Sequence, residues 1–268
     1  FKNFKSENFF IDEHRKVKTY FNFTISNFLE LIILLLIAVS IFMPIIFVII
    51  KGLNFEIIST IQSFYLWESI YNTFIICLFS GIISTVLVYN LLILTKKRTK
   101  ISESLVYSLI ILSPAIMAVG YYIFSFKLSL LLIPNIVIVI ILNAFFVLPF
   151  TYNYLAPSFF RIAKENDDIS NSLNIYGLRR FITIEWPRLK NSLITAFCVS
   201  SILSASDLVV ISFFGTNSLS TLTQTIYRLM GSYRIEEAYS VSLILLIYCF
   251  LYFFAFGKLL ERIKWNIH

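Results

Sequence analysis

LELIILLLIAVSIFMPIIFVII, Leu29 to Ile50, contains a single charged residue, Glu30, before the chain reaches Lys51. A bilayer core takes about 20 apolar residues of helix, so this stretch is long enough to cross one. Five further runs read the same way: Ser69 to Leu94, Leu105 to Phe126, Ser129 to Phe150, Leu193 to Phe214, and Tyr239 to Phe256. These runs are apolar on every side, whereas the strands of a closed barrel alternate apolar and polar residues. The expected fold class is therefore all-α, a polytopic membrane protein of six transmembrane helices. Pro44 and Pro114 fall inside the first and third runs, and because each removes a backbone donor, kinks are expected there.

Composition agrees with a lipid environment. Over 268 residues, 58% are hydrophobic and 14% charged, an apolar excess that comes in runs too long for the core elements of a soluble domain. The formal charge of +7 raises the question of nucleic acid, and the placement of the basic residues answers it. Lys51, Lys127, Arg228 and Arg234 stand alone or in a pair in alternate connections, while the other eighteen of the 22 basic residues lie in the remaining connections and termini. The basic side faces the cytoplasm in multi-pass proteins, so both termini and the long fourth connection are expected there. The partner implied by this charge is a lipid bilayer and no nucleic acid.

Metal and catalytic centres find little material. His14 and His268 lie near opposite ends, and Cys77, Cys198 and Cys249 are scattered through apolar runs without ligand spacing, so no metal site and no catalytic residue is expected. The opening FKNFKSENFFIDEHRKVKTYFN is polar and basic and has no signal-peptide pattern. It reads as a fragment that starts in a linker. The expected organisation is a cytoplasmic segment over 1–28, a six-helix transmembrane domain over 29–260 with a cytoplasmic loop at 160–187, and a cytoplasmic tail over 261–268.

The fourth connection, Thr151 to Leu189, is too long for a turn and too charged for a span, so contact with a cytoplasmic partner is expected to order it. Asp167 and Asp168 suit the first turn of a short helix, where the backbone dipole favours negative charge, and Leu173 closes that helix before Asn174. Asn tolerates the left-handed turn that commonly ends a helix. Leu178, Phe181 and Ile182 give the spacing of a second amphipathic helix, stopped by Pro187. A helix, a sharp turn and a helix are expected.

DDISNSLNIYGLRRFITIEWP, Asp167 to Pro187, resembles the cytoplasmic EAA loop of binding-protein-dependent ABC importer permeases. Asp168 stands at the Glu position of that motif, Ile169 and Ser170 at the two Ala positions, Asn174 at the Gly position, and Ile184 and Pro187 match outright. NAFFVLPFTYNYLAPSF (Asn143 to Phe159) is similar to the end of the preceding helix in such permeases, and LSASDLVVISFFGT (Leu203 to Thr216) to their fifth helix. TLTQTIYRLMGSYRIEEAYSVSLILL (Thr221 to Leu246) resembles the C-terminal half of bacterial thiamine permeases, especially at Gly231, Ser232, Tyr233 and Arg234.

The resemblance implies a multi-pass protein of the bacterial inner membrane that works with three partners. These are a cytoplasmic ABC ATPase dimer, a periplasmic substrate-binding protein and another permease half, either a fused N-terminal half or a second copy. It further implies that Asp167, Asp168, Asn171, Leu173, Asn174, Gly177, Arg179, Arg180 and Pro187 form the loop that couples to the ATPase. No phosphate-binding loop of the G-x-x-x-x-G-K-[S/T] kind occurs in the sequence, so this chain is expected to carry no cofactor, to do no bond chemistry, and to leave ATP and magnesium to the partner.

Asp207, a carboxylate inside the fifth run, is a candidate for the translocation pathway, but the commoner role of such a residue is to bond a neighbouring helix or to cap a break in its own. Tyr121 and Tyr122, like Tyr227 and Tyr233, offer faces to an aromatic cation, and Tyr also populates the membrane interface. The substrate implied is thiamine, with a ferric-iron or other small-solute permease half as the alternative. From other classes, an ion-coupled secondary transporter half and a membrane scaffold subunit remain open.

Overall fold

A computed structural model of the chain describes residues 25–53, 60–95, 99–127, 134–172, 177, 181–216 and 219–261, and all regular structure in them is helical. The helices in chain order are α1 (Ile25–Gly52), α2 (Phe64–Leu94), α3 (Thr99–Ile111), α4 (Pro114–Lys127), α5 (Asn135–Ser172), α6 (Trp186–Ala205), α7 (Val209–Phe214), α8 (Leu222–Gly231) and α9 (Ile235–Glu261), with a π-helical turn at Phe181–Glu185. By packing, the chain divides into two units, Phe1–Phe47 and Val48–His268. Within the first, α1 presents exposed apolar side chains such as Leu34, Leu36 and Phe42.

Among the described residues, four helices are long and apolar enough to cross a membrane: Glu30–Gly52, Tyr65–Leu94, Asn135–Ala163 and Ile235–Lys258. A fifth crossing is available if α3 and α4 count together, although they meet at 84°. The third apolar run, expected as one kinked span, is thus two helices joined at Leu112 and Ser113. Pro114 explains the site of the break, because a proline in the first turn of a helix loses only an N–H that would have no intrahelical partner. The fifth run also differs from a simple span. Its helix α6 ends at Ala205, and a new short helix, α7, starts at Val209 with Asp207 between them.

Among the described residues the second unit is organised on α2, which contributes to four apolar clusters. Val88 and Leu92 pack with Val106 of α3, Leu148, Leu155 and Phe159 of α5, and Leu189 of α6. About three to four turns earlier on α2, Ile76 joins Ala118 of α4, Val139 of α5 and Ile211 and Phe214 of α7 in a second cluster. Leu66 meets Leu222 of α8 and Val241 of α9, and Cys77 meets Ala205 of α6 and Tyr252 of α9. Lipid tails give helices no hydrophobic drive to associate, so close fit and polar contacts must hold them. Both are present. A Cβ added at Gly81 would lie 2.1 Å from the Ser201 hydroxyl, so the absent side chain lets α2 and α6 approach.

Polar contacts run along the same helix. Ser69 shares a hydrogen bond with Ser220 (2.8 Å), Ser80 with Ser204 of α6 (2.6 Å), and Ser84 with Thr151 of α5 (2.8 Å). Asn72 donates its amide to the Ser220 carbonyl, and the Leu222 amide donates to the Thr73 hydroxyl. Asn143 of α5 donates to the Ser204 hydroxyl at 3.2 Å. The chain reverses between α8 and α9 through Tyr233, whose φ of +60° is left-handed. Glu236 and Glu237 then open α9 where its dipole favours acids, and Arg234 donates to Glu237 at 2.7 Å.

Candidate coupling loop and translocation pathway

α5 does not stop at the end of its apolar part. It runs through Arg161 and Glu165 to Ser172, which puts Asp167 and Asp168 in its last turns rather than in the first turn of a new helix. The dipole preference on which the expected start rested is worth about 0.3–1 kcal/mol. Extending a helix that the core has already nucleated avoids the far larger cost of starting one, so continuation wins. Asn171 lies on the same final turn. Leu173 and Asn174, with Arg179 and Arg180, lie outside the described residues, and so does most of the expected turn. Gly177 is exposed, with φ +62° and open space around its Cβ position. Its left-handed backbone, and no steric neighbour, is what favours glycine there.

The second short helix is replaced by the π-turn Phe181–Glu185, which leads straight into α6. Pro187, expected to stop a helix, sits in the first turn of α6 instead, again the position where its missing N–H is harmless. Arg188 reaches back to Glu165 of α5 at 3.5 Å, both side chains more than half exposed, an ion pair worth at most about 1 kcal/mol. Deeper in the same hairpin, Ser192 donates to Ser158 at 2.7 Å, and Leu189 is fully buried.

Two residues not singled out in the sequence tie this turn to α2. Glu185 is buried, and the Tyr89 hydroxyl donates to its Oε2. The Tyr89 ring lies 5.0 Å from Phe181, at the other end of the turn, and edge-on to Phe159 of α5 at 6.1 Å. Phe181 in turn packs edge-on against Trp186 at 5.8 Å. Tyr89 is five residues from the end of α2, so that end and the loop share one side of the unit.

The pathway candidates gather on α7. Asp207 precedes it, its Oδ1 accepting from the Val209 amide at 3.2 Å and its Oδ2 from the Val210 amide at 3.0 Å. At the other end, Phe214 packs against Tyr121 (6.4 Å) and Tyr122 (5.9 Å). At about 1.5 Å of rise per residue, α7 separates the acid from the tyrosines by roughly one helical turn and a half. Tyr121 is half-buried and Tyr122 exposed. A groove of about 250 Å³ lies elsewhere, between α6 and α9, lined by Asn191, Thr195, Cys198, Phe254 and Lys258 among others, and takes in none of the three.

No family model matches the chain. Against curated proteins, it is 28% identical over 253 residues to the thiamine transport system permease protein ThiP of Escherichia coli, a match covering 88% of this chain and 46% of that protein. With the protein of the same name from Haemophilus influenzae it is 32% identical over 141 residues, which is 50% of this chain and 26% of the relative. With that of Brucella abortus the figures are 29% over 136 residues, 51% and 25%. The chain resembles bacterial thiamine-transport permeases over most of its length. The likeness expected from the loop and its flanks, to an ABC permease of the thiamine kind, is borne out by these matches. Each match spans less than half of the relative's own length.

Proposed function

We propose that the chain is one half of the permease of an ATP-driven importer that carries thiamine across the bacterial inner membrane. The observation that carries this reading is the similarity, over 88% of the chain, to a protein named as a thiamine transport system permease. Six crossings are proposed: α1, α2, the bent α3–α4 pair, the apolar part of α5, α6 with α7, and α9. The distribution of basic residues supports cytoplasmic termini and a cytoplasmic loop.

In this reading the cytoplasmic ATPase binds the loop over 160–187, with Asp167, Asp168, Asn171, Leu173, Asn174, Gly177, Arg179, Arg180 and Pro187 as its contact region. ATP and magnesium act on that partner, and the permease converts the partner's closure into a change in which side of the membrane the pathway faces. A periplasmic binding protein delivers the substrate, and a second permease half completes the pathway. Thiamine carries a thiazolium cation, which a tyrosine face attracts through its quadrupole, so Tyr121 and Tyr122 are proposed as lining groups with Asp207 nearby.

The loop is the part to remove. In cells carrying the complete permease, its ATPase and its binding protein, deletion of Asn171 to Leu178 is expected to abolish uptake of labelled thiamine while the permease still reaches the membrane. Undiminished uptake by the deletion variant would remove the loop from the mechanism.

A further inference from the structure

Building on the reading as an ATP-driven permease, we propose that the hydrogen bond from Tyr89 to Glu185 is the joint through which the cytoplasmic loop moves α2, with both residues acting as positioning residues. The contact joins the central helix to both ends of the turn that leads out of the loop. Phe181 and Glu185 bracket the π-turn, and both meet Tyr89, one through its ring at 5.0 Å and the other through its hydroxyl. A turn held at two points by a single side chain cannot tilt or slide without carrying that side chain along.

The chemistry makes the joint stiff. Glu185 is 6% exposed, and a carboxylate removed from water is costly wherever it loses a hydrogen bond. A bond from a phenol to a carboxylate is about twice as strong as one between neutral groups. Pulling the turn off α2 therefore costs more than parting two apolar surfaces, and the cheaper response to a displaced loop is for α2 to follow. Packing alone would be served by a phenylalanine and a leucine. The element used is also telling, since isolated π-turns are rare and recur at functional sites.

Movement at Tyr89 reaches the whole second unit. Among the described residues α2 takes part in four apolar clusters, and interhelical bonds leave it at Ser69, Ser80 and Ser84. The same helix, through Ile76, belongs to the apolar cluster that also holds Ile211 and Phe214 of α7, the helix beside which the pathway candidates lie.

The test reads α2 directly and needs no cargo. A nitroxide is placed at Asn90→Cys, an exposed site beside Tyr89, in the permease assembled with its second half and its ATPase and carrying Cys249→Ser. Addition of a non-hydrolysable ATP analogue with magnesium is expected to change the label's spectrum. Glu185→Gln, which keeps an acceptor for the phenol, is expected to retain that response. Tyr89→Phe and Glu185→Leu, which remove the bond from either side and keep the bulk, are expected to lose it. A response in both of these variants equal to that of the parent overturns the joint. A parent that shows no response also overturns the joint, whereas a permease that does not assemble with an ABC ATPase overturns the importer reading itself.

Discussion

At Asp207 the two carboxylate oxygens divide between two amides, 3.2 Å from Val209 and 3.0 Å from Val210. Asparagine keeps one such acceptor and alanine keeps none. Asp207→Asn is therefore expected to leave stability within about 1 kcal/mol of the parent, and Asp207→Ala to lower it by about 1–2 kcal/mol, as read from thermal unfolding of the purified permease in detergent. Thiamine uptake by the Asn variant separates the cap from the pathway. If the variant folds and transports normally, Asp207 caps α7 and does nothing for the cargo. The residue itself was conspicuous in the sequence as an acid within an apolar run, and capping a helix break was among its expected roles; where the flanking helices end was not legible, because apolar residues continue on both sides. Tyr89 and Glu185 were illegible for another reason. Their contact joins positions 96 residues apart, beyond any rule of helical spacing, which reaches only three or four residues.

Among the elements, α2 was the most readable. Ser69, Thr73, Ser80 and Ser84 recur at the spacing of one helical face, and all four are buried, a polar seam that reading the segment simply as an apolar run passed over. What the period does not disclose is how near the partner comes. At Gly81 an added Cβ would meet the Ser201 hydroxyl at 2.1 Å, and Phe197 and the Ser201 Cβ at 3.2 Å. Gly81→Leu is expected to destabilise the bundle by about 1–3 kcal/mol through overpacking. Gly81→Ala should cost less, and Ser201→Ala should restore part of its loss by removing the nearest atom. Thermal unfolding of the single and double variants checks this, and additive losses in the pair would argue against a shared contact. The loop was the least readable element. Its helix signals were local and weak, and α5, nucleated by core residues from Val139 to Phe159, simply continued through them.

For the whole molecule, length and apolarity revealed the class of fold, and the placement of Lys and Arg suggested the orientation. The breaks at Ser113 and Asp207 were the departures, each where a helix ends inside a run that hydropathy reads as continuous. Orientation has its own test. With a membrane-impermeant maleimide in intact cells, Ser232→Cys in the turn after α8 is expected to react, whereas Thr183→Cys in the π-turn reacts only after the membrane is opened. Both sites are exposed, and the opposite pattern would invert the topology. The measurement that bears most directly on function is uptake of labelled thiamine into proteoliposomes that contain the complete permease with its ATPase, the binding protein being supplied on the opposite face. ATP with magnesium on the ATPase side is expected to drive accumulation, and a proton or sodium gradient without ATP is expected to drive none. Accumulation driven by an ion gradient alone, or no thiamine movement by a complex that hydrolyses ATP, would contradict the account.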